Sequence, residues 1–160
     1  MSNGKSSNWM LEGAKSHAYA YRILLEKSEN AKQKMELGEP FNINDIKLAF
    51  PMIMNLSFSC EIYLKFLIIK CGKKYDREHD LQSLHKILIQ DYQDKIRDHY
   101  INMNGNDDFE KKLEDSKNVF KDWRYFYEID LDKQPYGIYV VDTPFLDCFL
   151  KCLEKICNEV

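Results

Sequence analysis

Between Asp45 and Gly72 the chain runs almost without a polar face, IKLAFPMIMNLSFSCEIYLKFLIIKC, and yet it carries Glu61 and Lys65 near its middle. A helix that is apolar nearly all round belongs at the centre of a bundle. Charged side chains in such a place need partners, because a lone buried charge is strongly disfavoured. The remaining segments must therefore wrap this one and answer its charges. Its longest uninterrupted apolar run, Leu48 to Met54, is far short of the roughly 20 residues that span a bilayer, so no membrane crossing is expected.

Periodicity and punctuation mark the helices. The first is expected from about Ala14 to Leu37, with Ala18, Tyr21, Leu24 and Leu25 as its apolar stripe and Gly38-Glu39-Pro40 as its stop. The central helix occupies about Ile46 to Cys71, capped by Asn44 or Asp45, with Pro51 as a kink or second start and Gly72 as the stop. A third begins near Asp80, turns Leu81, Leu84, Leu88 and Tyr92 inward, and is expected to continue through Ile96 to Tyr100. Asn102 to Asp108 reads as a loop. The fourth, about Phe109 to Glu128, spaces Phe109, Leu113, Ser116, Phe120, Trp123 and Tyr127 by threes and fours, one packed seam facing the central helix. After a β-prone stretch, Ile138 to Val141, Thr143 and Pro144 form an N-cap and N1 pair for a last helix through Phe145, Phe149, Cys152, Leu153 and Ile156. The fold class is all-α: an up-and-down bundle of four to five helices in one domain, 14–160, behind a flexible lead-in, 1–13, with a short extended segment before the last helix.

A chain of 160 residues can bury a core without cross-links. Its net charge of -3 gives no general attraction to phosphate backbones, which excludes broad DNA binding and leaves only local patches. The N-terminus lacks the apolar core of a signal peptide, and five cysteines without scaffold spacing fit reduced thiols, so a cytoplasmic location is expected. Cys148 and Cys152 share a face of the last helix while Cys157 points away, and no Cys-x2-Cys or His-x3-5-His pair exists. Neither a metal nor a cofactor is expected.

Ser57, Glu61 and Lys65 fall four apart on one stripe, with Glu61 and Lys65 in the favoured order for pairing. Arg124 and Glu128 make a second four-apart pair, and if the two helices meet, Glu61 or Glu128 can share the Arg124 guanidinium. His79 enters the third helix beside Asp80, where it can join them. A buried network that fixes helix register is the commoner role for such a set. His17, between alanines, reads as a packed or surface histidine. Lys70, Lys73, Lys74 and Arg77 cluster after the central helix. There they complement its C-terminal dipole, or Lys73, Lys74 and Arg77 contact a phosphate with the next helix N-terminus.

At these residues the sequence resembles the HEPN superfamily of small helical bundles. The resemblance rests on Asn55-x5-Glu61-x3-Lys65, His79-Asp80-Leu81-x2-Leu84 and Trp123-Arg124-Tyr125-x2-Glu128, in that order along the chain. It implies a four- or five-helix bundle, homodimerisation, and binding of RNA, a nucleotide or a cognate protein partner in toxin-antitoxin pairs or phage defence. Asn55, Glu61, Lys65, Asp80, Tyr125 and Glu128 would form the polar network or ligand-binding set. One departure is plain: ribonucleases of the group carry Arg-x4-6-His, and none of Arg22, Arg77, Arg97 or Arg124 has a histidine at that distance downstream. An active member would have to use His79 as base and Arg124 as the cation stabilising the phosphorane, drawn from two helices. The other alternative is a purely structural dimerisation module.

Overall fold

The computed structural model describes residues 3–124 and 141–160. Among these residues there are eight helical segments and no strand: α1 (Asn3–Glu36), α2 (Ile43–Ile46), α3 (Ala49–Lys70), α4 (Leu81–Ile87), α5 (Gln90–Asn104), α6 (Phe109–Asp115), α7 (Val119–Arg124) and α8 (Thr143–Asn158). The all-helical bundle expected from the sequence is what forms. Helix α3 is its axis, packing against α1, α4, α7 and α8. The stretch Ile43–Lys70 is apolar and long enough to cross a membrane by composition, but 61% of its most apolar window is buried inside the bundle, as the core helix of a packed domain would be.

Small residues let α1 lie close along α3. Ala14 and Ala18 are fully buried, and Ser59 Oγ donates 2.9 Å to the Ala14 carbonyl. Arg22 of α1 pairs with Glu154 of α8, and burial beside Asp147 raises the Tyr21 hydroxyl pKa well above its usual value. At the other end Phe109, Phe145, Phe149 and Tyr100 form an aromatic cluster joining α5, α6 and α8.

Three of the expected helices are broken, and the first begins earlier than expected. The first helix starts at Asn3, not Ala14, and Met10 and Leu11 pack against the core, so the expected lead-in is largely helical. The central helix divides into α2, capped by Asn42 rather than Asn44 or Asp45, and α3. Pro51 lies in the first turn of α3, where its missing N–H leaves no bond unmade: the second start, not a kink. The third helix breaks at Leu88 and Ile89. Both are extended, and the Leu88 carbonyl freed by the break accepts from Lys73 Nζ at 3.1 Å and Gln93 Nε2 at 2.8 Å. Helix α5 then runs on to Asn104, shortening the expected loop, and stops at Gly105, whose φ of 74° favours glycine.

The fourth helix breaks between α6 and α7, where the Lys117 carbonyl accepts the Leu81 backbone N–H at 3.0 Å. This break splits the expected seam: α6 packs on α4 and α5, while α7 packs on α3. The last helix is capped by Asp142, whose Oδ1 accepts from the Phe145 N–H at 2.9 Å, so Thr143 and Pro144 fall at N1 and N2. The expected Ile138 to Val141 extension lies outside the described residues, Val141 apart.

His85, on α4, is buried against the Phe109 ring, and its Nε2 has no hydrogen-bond partner. Burial, helped by Lys86, lowers its pKa from 6.5 to about 4. Above pH 6.5 both the folded and the unfolded state hold it neutral; below that the unfolded chain binds a proton that the folded chain refuses. Stability is therefore lost as pH falls from 6.5 toward 4, by about 3 kcal/mol in full. Denaturant unfolding at pH 7 and pH 4 should show that His85→Leu removes this part of the acid sensitivity. Equal acid sensitivity in variant and wild type would contradict it.

Candidate functional site

Glu61 is where the polar residues converge. Its position mid-way along α3 leaves it 1% exposed, and a single carboxylate oxygen, Oε1, receives both Lys65 Nζ at 2.7 Å and His79 Nδ1 at 2.8 Å. Lys65 is 12% exposed and its ammonium also lies 5.1 Å from the centre of the Tyr75 ring. The four-residue spacing supplies the lysine; the loop before α4 supplies the histidine. That loop is held by its own chemistry: Glu78 Oε1 accepts from the His79 and Asp80 N–H groups, and Asp80 Oδ1 caps α4 by accepting from Ser83 N at 2.7 Å. Asp80 thus serves the helix end rather than the network.

His79 is 51% exposed, although its partner is buried. A carboxylate oxygen accepts hydrogen bonds, so in the neutral imidazole this contact makes Nδ1 the donor and leaves Nε2 as the acceptor. This histidine borders a pocket of about 150 Å³ that, among the described residues, is also lined by Phe120, Lys121 and Arg124 of α7. His79 and Arg124, which lie 45 positions apart in the sequence, are thus drawn to one cavity. Phe120 and Arg124 stand four apart and Lys121 and Arg124 three apart, so one face of α7 presents all three. Asp122 shares that helix, and its partial burial raises its carboxyl above the ordinary range, opposed by Lys121.

Asn55 does not join this group. Six positions before Glu61, it lies on another face of α3, where its Oδ1 is 2.8 Å from His17 Nδ1 of α1 and its Nδ2 donates to the Pro51 carbonyl at 2.7 Å. Ser57, though on the Glu61 stripe, is fully buried and its hydroxyl donates back to the Ile53 carbonyl at 2.8 Å. Glu61 Oε1 receives Lys65, the pairing its spacing led one to expect, and His79. Tyr125 and Glu128 lie outside the described residues. In the basic cluster, Lys73 holds the Leu88 carbonyl, Lys70 Nζ reaches the Val160 carbonyl at 3.4 Å, and Arg77 lines a separate hollow with Asp76, Glu78 and Ile87.

In the sequence Phe58 and Lys121 carry no assigned role, His17 reads as a packed or surface histidine and Phe120 as part of the core seam. His17 meets Phe58 edge-on at 4.7 Å, and Phe58 stacks on Phe120 at 4.7 Å and 13°. These side chains form a column from α1 through α3 to the pocket. The three-and-four spacing of Phe120, Lys121 and Arg124 was the available signal for the α7 face, hidden by assigning Phe120 to the core seam. No family model, curated protein or solved structure matches this chain.

Replacing Glu61 strands Lys65 as a poorly hydrated charge, so Glu61→Ala should destabilise by about 3 kcal/mol or more. His79→Ala leaves the Glu61–Lys65 pair in place and removes one half-exposed bond, for a loss of about 1 kcal/mol or less. Urea titrations of the two variants check this, and a larger loss for His79→Ala would contradict the arrangement.

Proposed function

We propose that this chain is a HEPN-like bundle that binds the phosphate of RNA or of a nucleotide in the His79, Lys121 and Arg124 pocket, as part of a defence or toxin-antitoxin system. The observation that carries the reading is the convergence of those three side chains, from two separate segments, on one small cavity of a protein whose net charge is otherwise negative. A planar guanidinium beside an ammonium and an imidazole matches the oxygens of a phosphate, and in an acidic protein such local charge is what an anion would find. The resemblance at Asn55-x5-Glu61-x3-Lys65, His79-Asp80-Leu81 and Trp123-Arg124 gives the context.

A second reading, metal-independent RNA cleavage, is favoured by one specific contact, the 2.8 Å bond from His79 Nδ1 to Glu61 Oε1. A histidine whose Nδ1 is held by a carboxylate is oriented to take a proton on Nε2. It would accept the proton of a ribose 2′-hydroxyl as that oxygen attacks phosphorus, with Arg124 stabilising the charge that builds on the phosphorane. The P–O5′ bond breaks and the departing 5′-oxygen takes a proton from water, whose hydroxide recovers the proton held on His79, leaving a cyclic phosphate and a 5′-hydroxyl.

Titration of labelled single-stranded RNA into the purified protein tests the first reading. Arg124→Ala and Lys121→Ala should each weaken binding about tenfold and reduce its salt dependence. Affinity unchanged in Arg124→Ala would refute it. Cleavage that persists in EDTA and vanishes in His79→Ala would establish the second reading; intact RNA in every lane would leave binding alone.

A further inference from the structure

We infer that the pocket takes one nucleotide unit, with its base against the Phe120 ring and its phosphate on Arg124 and Lys121. This deepens the phosphate-binding reading and rests on it.

Phe120 carries the argument. Were α6 and α7 one continuous helix, the spacing of its seam would direct this ring into the core with Phe109 and Leu113. The break at the Lys117 carbonyl sends α7 onto α3 instead, and Phe120 is left half-buried on the wall of the pocket. Phe58 stacks on it nearly parallel, His17 braces Phe58 from the side, and Asn55 holds His17. Phe58 can cover only one face of the ring. The column braces the Phe120 ring on one face, and the same residue lines a cavity shared with Lys121 and Arg124.

Inorganic phosphate alone has no use for such a wall, and an apolar ligand has no use for Lys121 and Arg124. An aromatic plane beside cations is the arrangement that single-stranded nucleic acids and nucleotides use, the base stacking while the backbone is tracked by charge. Size narrows it further. A cavity of about 150 Å³ is well below the roughly 300 Å³ at which sites for larger small molecules begin, so it admits one planar heterocycle and leaves the ribose and phosphate at the rim. Lys121 and Arg124 are exposed there.

Calorimetric titration with inorganic phosphate, ribose 5-phosphate, adenosine 5′-monophosphate and a short oligoadenylate tests the inference and separates a free nucleotide from RNA as the source of the unit. Adenosine monophosphate should bind at least about tenfold more tightly than ribose 5-phosphate, Phe120→Leu should erase that difference, and Phe120→Tyr, which keeps the aromatic plane, should retain it. Arg124→Ala should weaken all the phosphate-bearing probes alike. If phosphate and ribose 5-phosphate bind through Arg124 while the base adds nothing, stacking on Phe120 is wrong and the phosphate site stands. If no probe binds, both are wrong. A thermal melt of each Phe120 variant identifies loss of fold, and Phe120→Tyr keeps the test decisive where Phe120→Leu fails to fold.

Discussion

A carboxylate placed at the centre of the most apolar helix sets the terms for the rest of this structure. Moving an ion of that size out of water costs several kcal/mol even after relaxation, and Glu61 is almost wholly enclosed. Lys65, one turn on, offsets part of that cost in the favoured Glu-to-Lys order. His79 comes from a different segment and so does more: its bond to the same oxygen ties the loop before α4 to the core helix. The other oxygen, Oε2, is buried with no hydrogen-bond partner. A site built for stability alone would be better served by apolar side chains of similar volume. The carboxylate instead holds a half-exposed histidine against the core helix.

The helix breaks do the remaining positioning. The Leu81 N–H is the first free donor of α4, and the Lys117 carbonyl is the acceptor exposed where α6 gives way to α7. Their bond joins the two places from which the pocket is made: His79 stands two residues before Leu81, and α7 begins two residues after Lys117. The same break turns Phe120 toward Phe58 and presents Lys121 and Arg124 on one side of a short helix. Unsatisfied backbone groups at helix ends must find partners, and here that requirement brings the site together.

Much of this was legible in the sequence, and part was not. The all-apolar segment identified α3 as the axis, the four-residue spacing identified Glu61 with Lys65, and the need of a buried charge for a distant partner pointed to His79 and to the neighbourhood of Arg124. The breaks at Leu88 and Lys117 were not legible, because no glycine or proline marks them. The carbonyls they free are satisfied by Lys73, Gln93 and Leu81, contacts that exist only once the chain has folded. Reading α6 and α7 as one helix put Phe120 in the core seam and so concealed the aromatic wall. Asn55 was misassigned for a simpler reason: six residues before Glu61 is another face of a helix, and its partner His17 lies on α1, a contact that spacing within one helix cannot reveal.

The most direct test of the account is the protonation state of His79, read by long-range 1H–15N correlation of its imidazole nitrogens in the folded protein above the pH at which it ionises. A neutral ring with the proton on Nδ1 is expected in the wild type, with loss of that preference in Glu61→Ala, provided the variant remains folded. A proton on Nε2 in the wild type would contradict it, because His79 would then not be donating to Glu61 and the buried carboxylate would not be what orients the pocket.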